Sequence, residues 1–357
     1  MKKLDGLKQA AFEKKSFDGF LITKEADMLY FAGFSEAECL FIPKSGVSTI
    51  YVHPLNYEQA KAEVKEFKIE LIKRNENLMA KIAKSAKALQ IKKLAFDTLN
   101  LENYRSLTKE LRGKTRLKAQ NDLVLGLRKV KDEEEIELMR KAGELTIAGM
   151  RTAYELIKPG IKEYEVAAEL EYVMRRKGSY GTAFETIVAS GVRSAFPHGR
   201  STDRQIKEGD LVVIDIGAAY YYYRSDMTRT LVAGKPSEKQ KKLYEIVKAA
   251  QEKAFQAIKP KVKAKEVDAI ARKVIEDAGY GEHFVHGLGH GIGLEVHEPP
   301  SLGRRSKDRL AIGNVVTIEP GIYIVGFGGI RIEDTILVAE REAEKFTKGL
   351  YTLEAEQ

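Results

Sequence analysis

Four acidic side chains lie inside apolar, strand-like segments of this sequence, and no other feature limits the chain as much. Asp215 interrupts Val212-Val213-Ile214-Asp215-Ile216-Gly217, and Asp226 opens Asp226-Met227-Thr228-Arg229-Thr230. Glu319 precedes Pro320, and Glu333 lies in Ile330-Arg331-Ile332-Glu333-Asp334. A carboxylate withdrawn from water is costly unless it is paired, hydrogen-bonded or bound to a cation. A salt bridge accounts for one such residue as readily as a metal does. Four of them, with His290 in the run His286-Gly287-Leu288-Gly289-His290-Gly291-Ile292-Gly293, favour a metal centre. Four carboxylates and one imidazole suit two divalent ions that share bridging carboxylates. An oxygen-rich set favours Mn or similar ions over a thiolate zinc site.

Local pattern indicates how these groups meet. Strand alternation puts Val213 and Asp215 on one face, opposite Val212, Ile214 and Ile216. A second strand, joined through the tyrosine-rich segment Tyr220 to Tyr223, brings Asp226 beside Asp215. Glu319 is biased to extended backbone by the following proline, and Arg331 and Glu333 share a strand face. The glycine run is no dinucleotide loop, because G-x-G-x-x-G from Gly287 would need glycine where Ile292 stands. So many glycines also argue against a helix carrying His286 and His290 to zinc. His198 and His297 border the candidate segments and read as functional, whereas His53 and His283 have no supporting context.

At 357 residues the chain is long enough for two domains. Residues 1 to about 120 alternate helical and strand patterns, which predicts an α/β domain. Acidic residues 133–135 then open a long helix that runs to about Ile157 and stops at Pro159-Gly160. A second helix covers about Glu163 to Lys177. Beyond residue 183 strands dominate, one of them spanning Ile330 to Val338, and two helices interrupt them, about Ser237 to Ile258 and Ala264 to Ala278. The predicted domains are 1–124 and 125–357. The net charge of +8 comes from 60 Lys+Arg interleaved with 52 Asp+Glu along amphipathic segments, so no nucleic-acid partner is expected. Cys39 is the single cysteine, which rules out an intrachain disulfide and suits a reducing compartment. No apolar h-region follows Met1-Lys2-Lys3-Leu4-Asp5, and no stretch is apolar over 18 residues, so a cytoplasmic chain without a membrane partner is expected.

Over roughly residues 125–350 the sequence resembles the pita-bread metallopeptidases, the family of prolidase, aminopeptidase P and methionine aminopeptidase. The resemblance rests on Asp215, residues 226–230, residues 286–293, His297-Glu298, Glu319-Pro320-Gly321 and residues 331–334. It implies two pseudo-symmetric halves around a curved, mostly antiparallel sheet, and usually a homodimer. It implies two divalent ions per subunit, Mn or Co, with Asp215 on one, Asp226 and Glu333 bridging, and His290 and Glu319 on the other. His198, His297 and Glu319 become catalytic, Phe184 lines a proline pocket, and His286 and Arg331 stand with the substrate-binding residues.

The additional N-terminal domain resembles the proline-specific branch, whose substrates are small peptides with proline after the scissile bond. Some prolidases carry an arginine where this chain has Ser301, so Arg304 or Arg305 is the candidate to read a dipeptide carboxylate. Preference for Xaa-Pro dipeptides is expected, with aminopeptidase P activity on longer peptides as the alternative. A metal-free binding module and a creatinase-like amidinohydrolase share the fold, but the full ligand set argues against both.

Overall fold

The computed structural model describes residues 2–354; Met1 and residues 355–357, the outer ends of the two predicted domains, lie outside them. The chain divides into two compact units, Met1–Arg128 and Lys129–Gln357.

The first unit is built on a six-stranded mixed sheet. Its strands are β1 (Gly19–Ile22), β2 (Cys39–Pro43), β3 (Thr49–Val52), β4 (Lys68–Leu71), β5 (Lys93–Phe96) and β6 (Arg116–Ala119), in the order β4-β3-β2-β1-β5-β6. Helices α1 (Lys2–Lys8), α2 (Glu25–Ala32), α3 (Pro54–Glu63), α4 (Leu78–Ala88), α5 (Leu101–Leu111) and α6 (Asn121–Arg128) complete it. Cys39 is buried in this core among Leu21, Phe41 and Tyr51. Helix α6 crosses the predicted boundary, and Arg128 ties it to the first unit through a buried 2.6 Å ion pair with Asp27. The short elements α2, α6, β4 and β6 were not foreseen, because four to eight residues rarely display a resolvable period.

In the second unit α7 (Glu133–Leu156) starts at a capping box, with Asp132 accepting from Glu135 N and Glu135 accepting from Asp132 N. Helix α8 (Glu163–Arg176) packs on α7, and α9 (Glu238–Gln256) packs on α10 (Ala264–Asp277). The strands are β7 (Gly181–Thr182), β8 (Ile187–Ser190), β9 (Leu211–Ile216), β10 (Ala218–Tyr220), β11 (Tyr223–Arg224) and β12 (Met227–Val232), then β13 (Gly289–Gly291), β14 (Glu298–Leu302), β15 (Val315–Ile318), β16 (Gly321–Ile324), β17 (Gly328–Arg331), β18 (Asp334–Leu337) and β19 (Glu344–Lys345). They pair antiparallel as β12-β9-β8, β14-β13-β15-β18-β19, β11-β10-β7 and the hairpin β16-β17.

Two halves of this unit repeat. Ile157-Lys158-Pro159-Gly160 leads into α8 as Ile258-Lys259-Pro260-Lys261 leads into α10. Gly160 N donates to Ile206 O and Lys261 N to Leu310 O, while the bridges Lys162–Gln205 and Lys263–Arg309 follow in each half. The strands repeat as well. Residues 209–217, GDLVVIDIG, match residues 313–321, GNVVTIEPG, so Asp215 and Glu319 occupy equivalent places.

One expectation is corrected. The strand predicted from Ile330 to Val338 is broken between β17 and β18, because Ile332 N turns to Pro320 O and Glu333 N to Thr228 O. The segment Tyr220 to Tyr223 joins β9 to β12 as expected and on the way closes a hairpin, β10–β11, both of whose turn residues, Tyr221 and Tyr222, have positive φ.

Candidate active site

Strand register sets the carboxylates side by side. Thr228 of β12 faces Asp215 of β9, so Asp226, just ahead of β12, falls diagonally across from Asp215. His290 is the middle residue of β13, squeezed between β14 and β15. A Cβ at Gly289 would strike the Thr317 carbonyl and one at Gly291 the Pro299 carbonyl, so only glycine lets the backbone pass there. Glu319 follows β15, and the break between β17 and β18 turns Glu333 toward the others.

These five residues line one cavity of about 750 Å³, together with Phe184, His198, His286, His297 and Arg331. Candidate ligand atoms of Asp226, His290 and Glu333 lie within 4.8 Å of one another. His290 Nε2 is 3.7 Å from Asp226 Oδ2 and 3.5 Å from Glu319 Oε1. Its other ring nitrogen is 3.1 Å from the Gly291 carbonyl, which fixes the tautomer that leaves Nε2 free to coordinate. Glu333 Oε2 accepts from Thr228 Oγ1 at 2.6 Å. The opposite oxygens, Glu333 Oε1, Asp226 Oδ1 and Asp215 Oδ1, are buried without a hydrogen-bond partner. Orphaned carboxylate oxygens converging on a space rich in acids have the chemistry of a divalent-cation site.

Electrostatics agree. Burial, then repulsion from Glu333 and Asp215, pushes the Asp226 carboxyl well above its usual range. Burial and repulsion from Glu319 and Asp215 do the same to Glu333. Glu319 is pushed up to about 8, mainly by burial. Burial lowers His290 to about 4, leaving a neutral imidazole suited to ligation. This cluster repels itself unless cations fill it; a cation would lower the carboxyl values again and keep His290 neutral.

Around it stands a bracing network. Arg331 Nη2 donates to Asp215 Oδ2 at 2.6 Å, Nε to Thr228 Oγ1 at 3.0 Å, and Nη1 to the Tyr323 hydroxyl at 2.9 Å and to Pro197 O at 3.3 Å. Tyr323 OH also meets His286 Nε2 at 2.9 Å, and burial lowers His286 to about 4. Arg331, predicted among the substrate-binding residues, is thus committed to Asp215 and Tyr323, although it borders the cavity. The ring of His297 lies 4.2 Å from that of His290.

Arg304 and Arg305 are placed elsewhere. They line a neighbouring depression with Ser306 and Lys307, and Arg304 Nη2 pairs with Glu276 of α10 at 3.5 Å. The chain bends at Gly303 directly after β14, and neither arginine lines the carboxylate cavity. Two contributors escaped the sequence reading: Tyr323 and Thr228. Tyr323 was detectable, since alternation along β16 puts it on the face of Gly321, next to Glu319.

An antiparallel strand scaffold repeated in two halves converges on buried carboxylates and one histidine, the donor set of a divalent-cation site. Residues 137–340 match the metallopeptidase family M24, and residues 7–130 match the creatinase/prolidase N-terminal domain. The chain belongs to metallopeptidase family M24. It is 44% identical over 337 residues to the Xaa-Pro dipeptidase of Pyrococcus furiosus, covering 94% of this chain and 95% of that one. The prolidase structure from Pyrococcus horikoshii OT3 superposes with a TM-score of 0.93 at 43% identity, over 99% of this chain and all of that one. An X-Pro aminopeptidase from Thermotoga maritima superposes with a TM-score of 0.87 at 37% identity, over 96% of this chain and 99% of that one. Among the described residues no helix is long and apolar enough to cross a membrane.

Proposed function

We propose that this protein hydrolyses the peptide bond preceding proline, with Xaa-Pro dipeptides as preferred substrates. The observation that carries the reading is the converging set of orphaned carboxylate oxygens beside His290. Similarity to Xaa-Pro dipeptidases over nearly the whole chain supports the choice of bond. Asp215, Asp226, His290, Glu319 and Glu333 would hold two divalent ions, Mn or Co. When bound, such ions polarise the carbonyl and lower the pKa of water toward neutrality.

The chain's own groups do the rest. Glu319 would accept a proton from water and pass it to the departing proline nitrogen. His297 donates to the carbonyl oxygen as charge develops there, with His198 at the same cavity wall. Phe184 packs against the proline ring; an Xaa-Pro bond carries no N–H, so shape must recognise it. Arg331 fixes Asp215 and thereby the cluster. Cytoplasmic residence and a homodimer belong to the same reading, the former supported by the single cysteine.

Catalytic efficiency on Leu-Pro should exceed that on Leu-Pro-Pro with Mn or Co added. Better cleavage of the tripeptide would make the protein an aminopeptidase P. His297→Ala should lower turnover roughly 10²-fold, the usual scale for a lost oxyanion or acid–base partner. Bound metal, read by elemental analysis, should stay at the wild-type level. Loss of metal in this variant would instead make His297 a ligand.

A further inference from the structure

We propose that Arg200 reads the free carboxylate of a bound dipeptide and so sets the preference for dipeptides; this rests on the proline-directed hydrolysis proposed above. A dipeptidase must recognise the negative charge that ends its substrate one residue beyond the scissile bond. Among the described residues, the cavity lining contains two arginines, Arg200 and Arg331. Arg331 is buried, and Asp215, Thr228, Tyr323 and Pro197 take up its guanidinium nitrogens. Arg304 and Arg305 open on the neighbouring depression, and Ser301 carries no charge.

Arg200 differs in every respect. It lies two residues from His198, and both line the cavity. Its backbone is held: Arg193 Nη2 donates to the Arg200 carbonyl at 2.8 Å, Gly199 N donates to Phe196 O at 2.9 Å, and Ser201 Oγ donates to Thr186 O at 3.1 Å. Its side chain is free to move, because the ion pair with Glu185, at 3.1 Å, is 77% and 62% exposed. Pairs so exposed are weak and easily exchanged. A substrate carboxylate entering the cavity offers the guanidinium two parallel hydrogen bonds, which an internal peptide group cannot match. Glu185 is therefore the partner that a substrate carboxylate displaces from Arg200.

The test compares metal-loaded wild type, Arg200→Ala, Arg200→Lys and Glu185→Gln on Leu-Pro and on Leu-Pro-NH2, which has the same scissile bond without the charge. Wild type should prefer the acid. Arg200→Ala should lower kcat/KM on Leu-Pro by roughly 10- to 100-fold, the worth of a hydrogen bond to a charged group, mainly through KM. The ratio of acid to amide should collapse by the same factor. Arg200→Lys should recover part of it, and Glu185→Gln should lower KM for Leu-Pro. An unchanged ratio in Arg200→Ala overturns the proposal, as does an equal loss on both substrates. Equal use of acid and amide by wild type overturns it too, leaving proline-directed hydrolysis intact. If wild type cleaves neither, that reading fails and this one with it.

Discussion

Glu333→Gln should fold, bind less metal and lose turnover by about 10³-fold or more, since a cation's stabilisation of several kcal/mol is at stake. The substitution keeps volume and one oxygen, so the 2.6 Å bond from Thr228 Oγ1 can survive. What it removes is a charge, and what it puts in place of a carboxylate oxygen is an N–H2 that repels cations. Asp226→Asn should behave alike, because Asp226 Oδ1 has the same orphaned geometry. The fold should not suffer. Without metal, Glu333 is repelled by Glu319 and Asp215, so a neutral amide relieves strain between like charges. Stripped Glu333→Gln should therefore melt at or above the temperature of stripped wild type. Near-wild-type turnover with two ions per chain by elemental analysis would exclude Glu333 as a shared ligand.

The metal-site candidates were legible because charge in an apolar strand is conspicuous in a single sequence. Asp215 stands out among Val212, Val213, Ile214 and Ile216, and no surface role explains it. The long helices were legible for the same kind of reason: α7 opens with acidic residues 133–135 and ends before Pro159. What escaped was relational. The repeat of GDLVVIDIG as GNVVTIEPG keeps four of nine residues, at Gly209, Val212, Ile214 and Gly217, too few to stand out in a single sequence. The break between Arg331 and Asp334 depends on Thr228 O and Pro320 O, distant groups that capture Glu333 N and Ile332 N. Arg304 and Arg305 follow the His-Glu segment closely in sequence, yet beyond the bend at Gly303 neither lines the carboxylate cavity. Arg200 is an ordinary loop arginine in sequence, and only the cavity distinguishes it from other surface charges.

Removal of metal should abolish activity and also make stability depend on pH in a way that metal cancels. In the stripped protein Asp226, Glu319 and Glu333 hold their protons more tightly folded than unfolded, Glu319 up to about 8 from an ordinary 4.5. Such groups stabilise the fold below their unfolded pKa, and that stability is lost as pH rises through the folded value. His286 and His290 act oppositely. Burial lowers both to about 4 from 6.5, so they add stability as pH rises across that interval. Below about pH 6.5 the two sets offset one another; between about 6.5 and 8 the carboxyls act alone. The melting temperature of chelated protein should fall across that upper window. Mn or Co should flatten the curve and raise it, by about 2.7 kcal/mol when free metal is 100 times its dissociation constant. Activity should return in the same titration. Chelated protein, shown by elemental analysis to be free of metal, that keeps full activity would end the metal-dependent reading. A melting temperature unchanged by Mn or Co between pH 6.5 and 8 would show that these carboxylates do not meet a cation in the folded chain.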